Sequence, residues 1–234
     1  MTGFGQFCAV ARALEALGER WALLIVRELL LGERRFNDIR RGIPRISKTM
    51  LSARLKELER AGIVVRESDG YALTEGGAQL APVLRELGSW AMHFDRRGLR
   101  PEHLDPDVLV WDIRRRVVPE HLPQEPTLVE LRFSGQPKPY YLLARRPEVT
   151  LCTEDGGFPV ALRIEADLEA LTRYWLGETT WDRLLRAELV TLTGPSSLRR
   201  AFPAWFSGYL LRPGSPGTAP VSAGDGTATT PADG

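Results

Sequence analysis

A chain of 234 residues is longer than one average domain and shorter than three, at roughly 150 residues per domain. Its 43% hydrophobic and 26% charged residues fit a globular protein and exclude wholesale disorder. The longest apolar run, Trp21 to Val26, is far short of the roughly 18–20 residues that span a bilayer, and charged residues interrupt any secretory leader. Two cysteines, Cys8 and Cys152, are too few for a disulfide framework, so a reduced, cytosolic, two-domain protein is expected, with no membrane partner.

The net charge of +1 hides an asymmetry. Residues 1–100 carry 17 Lys/Arg against 12 Asp/Glu, whereas residues 34–66 alone carry ten against three. A basic stripe beside a neutral remainder is the footprint of a phosphate-backbone binder or, equally, of an ordinary solvated face. The helical pattern inside the stripe favours the first.

Apolar residues recur at helical spacing over 6–17 (Phe7, Val10, Leu14, Leu17) and again over 19–31, each run ended by glycine. A short helix over 36–41 precedes Pro44, and Ser47 caps a helix running to Ala61. Residues 63–67 and 71–73 read as strands joined by Ser68-Asp69-Gly70, a tight-hairpin signal. Thr74 then caps one long helix to about Arg97, bent near Pro82, with more apolar positions than a small domain should cover. Helices, a hairpin and a further helix make a winged helix-turn-helix.

Pro101 and Pro106 mark a linker. Beyond it a helix is expected over 107–118, then strands over 127–134, 138–145, 148–153 and 159–165. In the first of these Val129, Leu131 and Phe133 alternate inward, with Glu130 and Arg132 outward. Helices follow over 167–176 and 180–187, a strand over 189–193 and a helix over 196–208. The order implies an α+β domain with helices on one face of a sheet. The tail from Arg212 has the composition of a disordered segment. The expected organisation is 1–100, 101–211 and a tail 212–234.

On a helix, Leu51, Leu55 and Leu58 share one side, while Thr49, Ser52, Ala53, Lys56 and Arg60 occupy the other, with Lys48 on the flank. Short hydroxyls and alanine let the backbone approach base edges, and lysine neutralises phosphate. Ser47 reads as a cap first and a DNA contact second. Arg54 is open between an ion pair and a phosphate contact. Arg34, Arg35, Arg40, Arg41 and Arg45 would flank the groove, and Arg66, Asp69 and Gly70 would form the wing.

The ordered set Phe7-Cys8, Leu17-Gly18-Glu19-Arg20-Trp21, Gly32-Glu33-Arg34-Arg35-Phe36, Ile46-Ser47-Lys48, Leu51-Ser52-Ala53-Arg54-Leu55 and Tyr71-Ala72-Leu73-Thr74-Glu75-Gly76-Gly77 closely resembles HxlR-type winged-helix regulators over residues 6–96. The resemblance implies a homodimeric transcription factor on double-stranded operator DNA, with the first and last helices of the domain forming the subunit contact. It also allows Cys8 to act as a redox sensor, against the alternative of a small buried hydrophobe. The wing is short for the family, and Ala9 stands where relatives often carry proline.

The second half resembles sterol-carrier-type domains through Leu168-Glu169-Ala170-Leu171, Trp175-Leu176-Gly177, Leu184-Leu185-Arg186-Ala187 and Leu189 to Pro195. That resemblance implies a curved sheet and helices around an apolar tunnel, which Trp111, Phe133, Tyr141, Phe158, Trp175, Trp181, Phe202, Trp205 and Phe206 could line. Each aromatic taken alone is more simply core. No nucleophile elbow, phosphate loop or Cys-x-x-Cys occurs, His93, His103 and His121 are dispersed, and neither enzyme activity nor a cofactor is expected. The reading is a one-component regulator, expected to be a repressor, with a C-terminal sensor for a small apolar effector. The rival is a carrier of hydrophobic metabolites without a regulatory role.

Overall fold

The structure, a computed structural model, describes residues 3–95, 97–152 and 157–209; the tail expected over 212–234 lies outside them. Two apolar cores organise the chain. The first is built by Ile25, Val26, Ile39, Ile46, Leu51, Leu55, Leu58 and Val64. These come from α2 (Ala22–Leu30), α3 (Phe36–Gly42), the loop after it, α4 (Lys48–Arg60) and β1 (Val64–Glu67). Strand β2 (Gly70–Leu73) pairs antiparallel with β1, with Glu67 opposite Gly70, so the wing tip is only Ser68-Asp69.

Helices of the first half differ from expectation at their ends, α2 by starting at Ala22 rather than Glu19. The first, α1 (Ala9–Leu17), starts at Ala9 rather than near residue 6. The expected long helix after the wing is two: α5 (Glu75–Ala78), capped by Thr74, and α6 (Ala81–Phe94). Pro82 is the reason. It has no N–H to give the Ala78 carbonyl, and its ring crowds that carbonyl, so the first helix stops there and a second starts around the proline.

The second half begins with a 3₁₀ turn (Pro101–His103) and α7 (Pro106–Arg114), whose N-cap Asp105 accepts hydrogen bonds from the amides of Asp107 and Val108. Helix α7 ends four residues earlier than expected because the chain turns to pair with its own C-terminal segment. Val117 bridges Phe206, the Val118 amide donates to Trp205 O (2.8 Å), and the Ser207 amide donates to Arg116 O (2.8 Å). Strands β3 (Thr127–Phe133), β4 (Tyr140–Arg145), β5 (Glu148–Cys152), β6 (Val160–Ala166) and β7 (Val190–Thr193) form one sheet in the order β5-β4-β3-β6-β7, with β3 and β6 parallel and the other pairs antiparallel. Helices α8 (Leu168–Leu176), α9 (Trp181–Arg186) and α10 (Ser196–Ala201) complete the half; the expected final helix gives way at Phe202 to a 3₁₀ turn containing Pro203. Leu109, Ile113, Leu171, Trp175, Leu184 and Trp205 pack on Val129, Leu131, Phe133, Leu142 and Ile164, so the helices and their connections cover one sheet face. On the other face Glu130 is not solvated as its alternation suggests. It is buried in the central strand between Arg132 and Arg163, whose Nε atoms lie 2.5 and 2.7 Å from its oxygens.

A charged seam joins the halves. Glu28, fully buried on α2, receives Arg115 Nη1 at 2.6 Å and Arg27 Nη2 at 2.6 Å. Arg115 Nε also donates to Asp112 Oδ1 (2.9 Å), whose other oxygen accepts from Trp175 Nε1 (2.7 Å). Arg114 pairs with Glu33 at 2.9 Å and lies over the Trp111 ring at 3.9 Å. Gly42 makes the seam sterically feasible, since a Cβ there would sit 1.8 Å from Glu28 Oε2.

Candidate nucleic-acid interface

Helix α4 has the two-faced character its sequence implies. Leu51, Leu55 and Leu58 are buried, whereas Lys48, Thr49, Ala53, Lys56 and Arg60 are exposed and Ser52 is half-buried. Ser47 is exposed and its Oγ accepts from the Met50 amide at 3.1 Å, so it caps the helix. The remaining first-turn amides of this 13-residue helix are free to meet phosphate, and the apolar anchor beneath fixes the outward face. Arg54 resolves as structural: its guanidinium bridges Glu19 (2.7 Å) on one side and Glu57 on the other.

The wing is held against the body of the domain rather than left free. Arg34 pairs with Glu67 and with Asp69 (3.1 Å), and the Tyr71 amide donates to Arg34 O at 2.9 Å. Those carboxylates hold the Arg34 guanidinium pKa above its ordinary value and both engage its Nη2, so Arg34 and Asp69 act as a wing tie. Gly70 is required there. Its φ is +147°, and a Cβ would lie 2.3 Å from Arg34 O. Arg66 is exposed, its guanidinium 5.7 Å from the Tyr71 ring centroid, and Arg35 is exposed at the start of α3. Arg41 pairs with Asp38 (2.9 Å) and faces the Trp111 ring, and Arg45 donates to Glu102 O (2.8 Å). These two arginines serve the junction between the halves.

Cys8 is exposed, as the N-cap of α1. The amides of Ala11 and Val10 draw its pKa below the ordinary thiol value, although neither makes a hydrogen bond of normal geometry to it. The lowering therefore comes from the helix start and not from Arg12.

Of the aromatics in the second half, Trp175, Trp181, Phe202 and Phe206 surround a cavity of about 30 Å³, and Trp205 packs against Phe202. Phe133 lies on the same sheet face, beside Tyr140. The structure places the other three elsewhere: Trp111 in the seam, Tyr141 in register with Glu130 on the opposite sheet face, and Phe158 beneath Arg145. Among the described residues no His/Cys/Asp/Glu group could hold a metal, and no helix is long and apolar enough to cross a membrane. The seam residues Glu28, Asp112 and Arg115 were not singled out from sequence. One signal was present: Glu28 sits between Ile25 and Leu29 on the inward side of α2, where an acid needs a partner.

The sequence of the first half is similar to that of known proteins. The model of the HxlR-like helix-turn-helix family matches residues 16–98. The uncharacterized HTH-type transcriptional regulator YvaP of Bacillus subtilis is 40% identical over 101 residues, which cover 40% of this chain and 90% of YvaP. The HTH-type transcriptional regulator YodB of the same organism is 42% identical over 93 residues, 37% of this chain and 83% of YodB. The crystal structure of quinone-bound YodB aligns at 45% identity with a TM-score of 0.35, covering 36% of this chain and 97% of that one. The chain thus belongs to the HxlR-like helix-turn-helix family, whose relatives found here are transcriptional regulators.

Proposed function

We propose that the protein is a homodimeric repressor that reads operator DNA with α4 and responds to a small molecule through its second half. The observation that carries the reading is the exposed polar face of α4 over a buried leucine stripe. Lys48 and Lys56 neutralise phosphates while Thr49, Ser52 and Ala53 present short side chains to base edges, assisted by Arg35 and Arg66. A dimer follows from surface left uncovered in one chain: Phe7, Val10 and Leu14 on or beside α1, and Val83, Leu87, Trp90 and Phe94 on α6, are all exposed. Two copies burying these faces would present two α4 helices to a pseudo-palindrome. Repression is the proposed mode, by a dimer whose operator overlaps the promoter.

The second half fits the sterol-carrier-type reading in having helices on one face of a sheet around an aromatic-lined void. That void has about the volume of one water, so an apolar guest there requires the core to open. Cys8, exposed with a lowered pKa, is proposed as an accessory thiol sensor. The test is a mobility-shift titration of the full chain on the DNA upstream of its own coding sequence, at physiological salt with excess random competitor. A retarded complex that survives competitor supports the reading. Binding no tighter than to random DNA refutes it.

A further inference from the structure

A cleft of about 640 Å³ lies where the two halves meet, within the range of small-molecule sites and far larger than the void in the sheet core. Leu24 and Leu31 from α2 and its C-terminal end, Leu84 from α6, Val108 from α7 and Leu176 from α8 supply its apolar wall. Its polar end is cationic. Arg27, Arg85, Arg115 and Arg116 line it against Asp105 and Asp112. Most of these charges are committed: Arg27 and Arg115 to Glu28, Asp112 to Arg115 and Trp175, and Asp105 to the start of α7.

Arg116 is different. Only 13% of its side chain is exposed, its buried Nε has no hydrogen-bond partner, and its nearest carboxylate oxygen, Asp112 Oδ1 at 3.7 Å, is already engaged by Arg115. Burial pulls its pKa below the usual guanidinium value. A largely desolvated guanidinium at the cleft wall, whose carboxylate contact is long and shared with Arg115, keeps donors for a second anion.

We infer that this cleft binds an amphipathic carboxylate, its head on Arg116 and its apolar body against the leucines of α2 and α6. The inference rests on the regulator reading for its consequence alone. The ligand touches both the DNA-reading half and the second half, beside the Glu28–Arg115 pair that joins them. A preference for one arrangement of the halves shifts operator affinity, and a tenfold shift corresponds to about 1.4 kcal/mol of differential binding.

The test uses the full chain and calorimetry with decanoate and its neutral counterpart decan-1-ol. Decanoate is expected to bind at one site per chain at least tenfold tighter than decanol. Arg116→Gln should erase that difference while leaving decanol affinity in place, Arg116→Lys should retain part of it, and Val108→Trp should weaken both ligands by filling the cleft. Circular dichroism checks that each variant folds, and Val108→Trp, which leaves every charged side chain in place, carries the test if Arg116→Gln does not fold. The inference is overturned if neither ligand binds, or if Val108→Trp leaves both affinities unchanged while Leu131→Trp in the sheet core removes them. Decanoate binding only by a monomeric Trp90→Glu variant would overturn it too, by showing that the partner subunit fills the cleft. Ligand-free mobility shifts run alongside report the regulator reading separately: intact DNA binding without decanoate binding sinks this inference alone.

Discussion

Replacing Glu28 with Gln keeps the shape of the buried side chain and removes its charge. Arg27 is one-third exposed and can turn to water, but Arg115, 10% exposed, keeps only Asp112, which Trp175 and Arg116 also engage, and a long contact to Glu33 at 3.9 Å. Breaking a buried pair from one side costs about 3–5 kcal/mol, because the charge left behind is uncompensated. At roughly 2–4 °C per kcal/mol for a chain of this size, the melting temperature should fall by roughly 6–20 °C. Thermal unfolding followed by circular dichroism at pH 7 measures this. The double variant Glu28→Leu/Arg115→Met, which removes both charges of this pair and leaves Asp112 to Arg116 and Trp175, should recover part of the loss. A melting temperature within about 2 °C of the parent for Glu28→Gln, or strictly additive losses in the double variant, would refute the view that this pair holds the halves together.

Gly70→Ala should leave the fold largely intact yet weaken DNA binding, because the wing must move off Arg34 O; equal affinity in a mobility-shift titration would contradict this. Trp90→Glu, on the exposed face of α6, should convert a dimer to a monomer in analytical ultracentrifugation and lower operator affinity with it. For Glu130, burial pushes the carboxyl pKa up, and the hydrogen bonds from Arg163 and Arg132 outweigh it to leave the value lowered. A depressed folded pKa stabilises above the unfolded carboxylate value of about 4.3 and is lost as pH falls through the folded value, so the penalty of Glu130→Gln should be largest near neutrality and shrink in acid. If Cys8 is a sensor, diamide should release DNA from the parent but not from Cys8→Ser; equal release from both would discard that role.

Local signals announced the reading helix well. A serine cap, a leucine stripe at helical spacing and hydroxyls opposite it are properties of neighbours in sequence, and α4 shows all of them. Alternation in β3 likewise identified its inward residues, Val129, Leu131 and Phe133. What escaped depends on residues far apart. Arg54, Arg34, Arg41 and Arg45 look alike as basic residues in a basic stripe, yet Glu19, Glu67, Trp111 and Glu102 O decide what each one does. The sterol-carrier resemblance places Trp111 among the tunnel aromatics, and only the approach of α7 to α3 shows that it faces arginines instead. The cleft itself was illegible, because its walls come from four helices in two halves of the chain.

The central claim is that the polar face of α4 reads DNA. Its most direct measurement compares operator affinity for the parent and a folded Thr49→Ala/Ser52→Ala/Lys56→Ala variant across a range of salt concentrations. All three changes lie away from the leucine stripe, so circular dichroism should be unchanged. The account predicts loss of preference for operator over random DNA, with a salt slope about one unit shallower from the missing Lys56 contact. Unchanged affinity, preference and salt slope in the folded variant would contradict it.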